Sequence, residues 1–92
     1  MNNVTFIGQL SNATGCAVTL ILYQGSTVVW IHHYYNSFNF SSQLPDNSYN
    51  VTINGYTQGT LTFDIQGASG VNPPVPAVYP QSINGSFNFQ TP

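Results

Sequence analysis

Ninety-two residues limit the chain to one domain with one modest core. There is no Lys or Arg and the only carboxylates are Asp46 and Asp64, against 41% apolar and 14% aromatic residues, a composition that folds rather than staying disordered. The missing cations exclude the phosphate contacts of nucleic-acid binding and the polybasic attraction to anionic lipids. No apolar run approaches the ~20 residues of a membrane-spanning helix, so membrane insertion is not expected.

Taken in order, residues 4–10 (VTFIGQL) predict a first strand with Gly8 as a bulge, followed by a loop over 11–15. Residues 17–23 (AVTLILY) predict a second strand, apolar enough to be central. Gln24-Gly25-Ser26 closes a hairpin onto a third strand over 27–34 (TVVWIHHY). Tyr35-Asn36-Ser37 then turns the chain into a short fourth strand, Phe38-Asn39-Phe40. After the turn-rich 44–48, residues 49–53 alternate again as a fifth strand. Residues 54–59 (NGYTQG), with Gly near both ends, predict a hairpin loop. Residues 60–65 predict a sixth strand, with Leu61, Phe63 and Ile65 inward and Asp64 outward. The Pro-rich stretch 66–80 cannot join a central ladder and predicts an ordered loop or an extended polyproline segment. Residues 83–90 (INGSFNFQ) predict a seventh strand.

Seven strands without helical periodicity predict an all-β domain over 1–92. The form expected is a seven-stranded antiparallel β-sandwich, immunoglobulin-like or prealbumin-like, with a Pro-rich loop at 66–80. Its core is expected to hold Val18, Leu20, Leu22, Trp30, Phe38, Phe40, Val51, Ile53, Leu61, Phe63 and Phe87, with Tyr49 on the same face.

One stretch carries a resemblance. Phe38, Phe40, Leu44, Pro45, Tyr49, Val51, Ile53, Gly55 and Tyr56 resemble the run F-x-F, L-P-x-G-x-Y-x-V-x-I, G-Y of small extracellular sandwiches. These are the Cna protein B-type, carboxypeptidase regulatory-like and transthyretin-like families. Asn47 stands where those families usually have Gly. The resemblance implies a seven-strand sandwich used as a spacer, stalk or binding module. The internal Lys–Asn isopeptide bond of many Cna B-type domains is ruled out, because the chain has no Lys.

Reactive chemistry has little to work with. Cys16 is alone and precedes an apolar run, which predicts a small core residue and no internal disulfide. His32 and His33 are neighbours on one strand and face opposite sides, so they do not chelate one metal. No nucleophile signature and no paired carboxylates occur. The expectation is therefore no catalytic residue, no metal, no cofactor and no enzyme activity.

Binding surfaces are better represented. Trp30, Tyr34, Tyr35, Tyr56 and Tyr79, in a chain rich in Asn and Gln, are candidate sugar-stacking rings set against a core role for Trp30. Of five Asn-x-Ser/Thr sequons, those at Asn39 and Asn50 fall on the water-facing side, where a glycan fits. Strand edges are usually guarded by charge, especially Lys, and this chain has none to place there. Assembly contacts are expected through Val4, Phe6 and Ile7 of the first strand, and through Pro73, Pro74, Val75, Pro76 and Tyr79 of the Pro-rich segment.

The function expected is a non-enzymatic structural subunit of an extracellular assembly, either a virion coat or decoration protein or a cell-surface filament subunit. Its partners would be copies of itself or other particle subunits. The near-absence of charge resembles exported and virion proteins of acidophilic archaea and suits an acidic medium, where ordinary Lys and Arg content would repel itself. No basic segment followed by an apolar one opens the sequence, so no signal peptide is expected, and virion assembly inside a cell is one route that needs none. The alternative is a small carbohydrate- or cell-binding module engaging host-surface glycans.

Overall fold

The computed structural model describes residues 2–91. Its strands are β1 (Asn2–Ser11), β2 (Cys16–Gln24), β3 (Thr27–Tyr34), β4 (Phe38–Leu44), β5 (Asn47–Gln66), β6 (Ser69–Asn72) and β7 (Ala77–Thr91). All pairings are antiparallel within one sheet. The order is β3-β2-β5-β1-β4, with β7 along the other edge of β5 and β6 on β7. The fold is all-β, a single sheet curled on itself.

The curl originates in β5. Twenty residues of straight strand would span about 66 Å, yet the longest dimension of the fold is 37 Å. The strand therefore bends over, and its partners change at the bend. Residues 50–57 pair with β2 and residues 60–66 with β1. β7 follows the whole course, with its register shifting between Tyr56 and Thr60. Gly55 and Gly59 flank this corner. A Cβ at Gly59 would lie 2.2 Å from the carbonyl oxygen of Ser11, and one at Gly55 would lie 1.9 Å from that of Ala17. Neighbouring backbone thus passes where a side chain would stand.

Inward positions keep a strict alternation through the bend. Tyr49, Val51, Ile53, Thr57, Leu61, Phe63 and Ile65 are all buried. They meet Val4 and Phe6 from β1, Val18, Leu20 and Leu22 from β2, Phe38 and Leu44 from β4, and Ile83, Phe87 and Phe89 from β7. Burying each Phe contributes roughly 1.5–3 kcal/mol relative to exposure. β3 and β4, at opposite ends of the strand order, share no backbone ladder, but their inward side chains interleave. Tyr34 stacks on Phe38 at 4.2 Å between ring centroids, and His32 lies 4.4 Å from Phe40. Trp30 meets Phe40 and Phe6 edge-on at 5.4 and 5.3 Å, and its indole N–H donates to Ser42 Oγ at 3.2 Å.

Several expectations change. Residues 54–59 are not a hairpin loop but part of one continuous strand, because the glycines there provide a bend rather than a reversal. β4 runs on to Leu44, leaving only 45–46 as the turn. Gly8 is no bulge: it pairs in regular register with Phe38 and Phe63 and lies beneath the Phe38 ring. The stretch 66–80 is neither a single ordered loop nor an extended polyproline segment. It forms β6, a turn over 73–76 and the start of β7, and Val75, Ala77 and Tyr79 pack against the core. Trp30 and Phe40 are half-buried, since they fill the seam between β3 and β4.

The two ends of the described chain are secured at the same turn. Asn2 Nδ2 donates to the Leu44 carbonyl at 3.1 Å and to Asp46 Oδ1 at 2.7 Å. Thr91 Oγ1 donates to the Pro45 carbonyl at 2.8 Å and accepts from the Asn47 N–H at 2.9 Å. The Tyr49 hydroxyl donates to the same Pro45 oxygen at 2.7 Å.

Two measurements check this account. Gly59→Ala is expected to destabilise the fold by about 1–3 kcal/mol, read as a lowered urea midpoint, because the atoms in the way are backbone. An unchanged midpoint would mean that residues 11–12 yield freely. Burial first, and the charge of Asp46 second, hold the Tyr49 hydroxyl pKa above its ordinary value near 10. A raised folded-state pKa leaves its stability contribution intact below the unfolded pKa and removes it as pH climbs through the folded one. Stability should therefore fall above about pH 10. Tyr49→Phe should lose about 1 kcal/mol at pH 7 and show a shallower alkaline decline, and an equally steep decline would exclude Tyr49 as a source.

Candidate functional site

Each residue singled out in the sequence has a definite place. Val4 and Phe6 are fully buried, and β1 is laddered on both edges, so their side chains belong to the chain's own core rather than to an assembly contact. Ile7 lies on the outer face, half-buried, opposite Asn39 and Asp64. Pro73, Pro74 and Pro76 are exposed on the β6–β7 turn, whereas Val75 and Tyr79 are half-buried against the core.

The edge that sequence reasoning passed over is β3. It is laddered to β2 alone, and beyond Trp30 its side chains alternate regularly. Val28, Val29 and Ile31 are 46, 41 and 51% exposed. An extra residue at Val29, where the register shifts, bulges only the hairpin end of the strand. The signal was present in the sequence, since Val29, Ile31 and His33 alternate out of phase with Trp30, His32 and Tyr34.

The histidines split as their adjacency requires. His33 is exposed, with Nδ1 2.9 Å from Thr19 Oγ1, and His32 is half-buried against Trp30 and Phe40. Cys16 is half-buried at the start of β2. Its thiol contacts the carbonyls of Tyr34 and Asn36 at 3.7 Å, and burial pushes its pKa up, which disfavours the nucleophilic thiolate. Among the described residues, no three His, Cys, Asp or Glu side chains gather as metal ligands.

The four candidate stacking tyrosines separate into two pairs. Tyr34 and Tyr79 face inward. Tyr34 stacks on Phe38, and its buried hydroxyl has no hydrogen-bond partner among the described residues. The Tyr79 hydroxyl sits over Gly85. Burial raises the pKa of both. Tyr35 and Tyr56 are 71 and 56% exposed and line one open groove of about 370 Å³ with Thr14, Gly15, Cys16, Ala17, Thr57 and Gln58. The start of β2 brings them together. The Cys16 N–H donates to the Tyr35 carbonyl at 3.0 Å, and Ala17 pairs directly with Tyr56.

A second groove of similar volume runs past Gly25, Ser48, Asn50, Gly70, Asn88 and Gln90. The rings beneath it, Tyr49 and Phe89, are buried. The Asn50 amide is occupied, donating to Ser86 Oγ at 2.9 Å and Asn88 Oδ1 at 2.8 Å. Asn39, the other sequon residue, is exposed on β4. No protein-family model, curated protein or solved structure matches this chain.

Proposed function

We propose that the chain is a non-enzymatic structural subunit that assembles with copies of itself edge to edge through β3. The observation that carries this reading is the eight-residue edge itself. It is unpaired along one side among the described residues, three of its five exposed side chains (Val28, Val29 and Ile31) are apolar, the other two are Thr27 and His33, and it carries no Lys or carboxylate. Monomeric β-proteins guard such edges with charge, proline or bulges, and here only the hairpin end is bulged. A second copy is the occupant that the electrostatics favour. With a formal charge of −2 at pH 7 and no Lys or Arg, two copies meet with little repulsion. Antiparallel β3–β3 pairing about a two-fold axis would let identical surfaces match.

A virion surface or a cell-surface filament in an acidic, extracellular setting is the context we favour for such a subunit. The charge-poor composition and the resemblance of residues 38–56 to extracellular sandwich modules support it. The same resemblance supports reading the curled sheet as a seven-strand sandwich, its two halves formed by the arms of β5. The lone half-buried thiol and the two opposed histidines support a role without catalysis.

The test is light scattering on size-exclusion eluate over rising concentration at pH 7 and pH 3. Wild type is expected to form dimers or larger species. Ile31→Lys should return it to monomer, and Ile7→Lys, on the face of an interior strand, should not. A wild type that stays monomeric at about millimolar concentration at both pH values overturns the proposal, since a Kd that weak corresponds to only about 4 kcal/mol.

A further inference from the structure

Independently of how copies associate, the Tyr35–Tyr56 groove has the makings of a ligand site. The chain has thirteen aromatic side chains. Eleven are buried or half-buried, and the two that are exposed line the same groove. The groove also gathers unused hydrogen-bonding capacity. The side chains of Thr14 and Gln58 and both tyrosine hydroxyls make no hydrogen bond within the described chain, whereas Thr57 Oγ1 is committed to the Gly15 carbonyl and the Gly59 N–H. No charged residue lines it.

We propose that this groove binds an uncharged saccharide. Exposed phenol rings offer flat apolar faces that suit the C–H-rich face of a pyranose, and each carries a polar tip for a sugar hydroxyl. Thr14 and Gln58 add neutral donors and acceptors, which orient a ligand without a charge to match. Phosphorylated, sulfated and carboxylated ligands lack a cationic partner there. A purely apolar ligand would stay largely in water, because the groove is open. Its volume, about 370 Å³, falls at the small end of ligand sites and suits one or two sugar rings. An added peptide strand has no opening, since the β2 backbone there is laddered to β5 and held by Tyr35.

The experiment is an amide-resolved NMR titration of the intact chain with cellohexaose, mannohexaose and xylohexaose, each to several millimolar. At least one hexasaccharide should move resonances of residues 14–17, 35 and 56–58 in a saturating manner. Tyr35→Ala and Tyr56→Ala should each weaken binding at least tenfold. Both side chains are exposed, so thermal melting should confirm that the variants stay folded. Tyr23→Ala, outside the groove, should leave the affinity unchanged. No saturating shift from any of the three, shifts centred on another surface, or affinity indifferent to both groove substitutions would overturn the assignment. None of these outcomes depends on whether copies pair through β3.

Discussion

The fold depends on one strand having to serve two partners along one edge. β5 is too long for the molecule that contains it, so it must bend, and each arm then collects its own neighbour, β2 on the first and β1 on the second. β7 bends with it on the other edge. Because alternation is unbroken through the corner, both arms turn the same side inward, and one continuous set of odd-numbered residues supplies much of the core. The curl brings β3 and β4 face to face. There the closure is made by rings, Tyr34 on Phe38 and Trp30 on Phe40, rather than by a backbone ladder.

Much of this was legible in the sequence, and the misreadings have physical causes. Period-2 runs bounded by Gly, Ser and Asn mark β3 to the residue, and β1 and β2 to within two residues of their ends. The reversal expected at 54–59 failed because glycine marks both tight turns and close backbone approach, and composition alone does not separate them. The clue lay in phase: Thr57 continues the inward series of Tyr49 and Phe63, as a strand that carries on must. The Pro-rich segment was misjudged because Val75, Ala77 and Tyr79 are apolar in the phase of Ile83 and Phe87, which draws the segment onto the core.

The same phase argument sorts the site. Tyr34 shares parity with Trp30 and His32, and Tyr79 with Ile83 and Phe87, so both turn inward. Tyr35 lies in a turn and Tyr56 stands one residue out of phase with Thr57, so both face water. That the two outward rings meet at one groove was not legible, because it depends on which part of β5 lies against the start of β2. With no Lys or Arg to form ion pairs, neutral contacts organise the outer faces. Gln43 reaches Asn3, the Thr5 and Ser41 hydroxyls meet, and Asn50 links Ser86 with Asn88. Such contacts are worth little each, but they do not titrate in acid as carboxylate pairs do.

The turn that holds Asn2 and Thr91 gives the molecule a polarity. Both ends of the described chain arrive at one pole, beside Pro45 and Asp46. The β5 corner, with Tyr35, Tyr56 and Gln58 around it, lies at the other end of the first arm. A tether fused at either end would leave from the same side and orient the opposite pole away from whatever surface anchored it. Pulling on both ends together would load the contacts at Pro45 and Asp46 first and leave the far corner unstrained. Architecturally, the domain keeps both described ends at one pole and its two exposed tyrosines at the other.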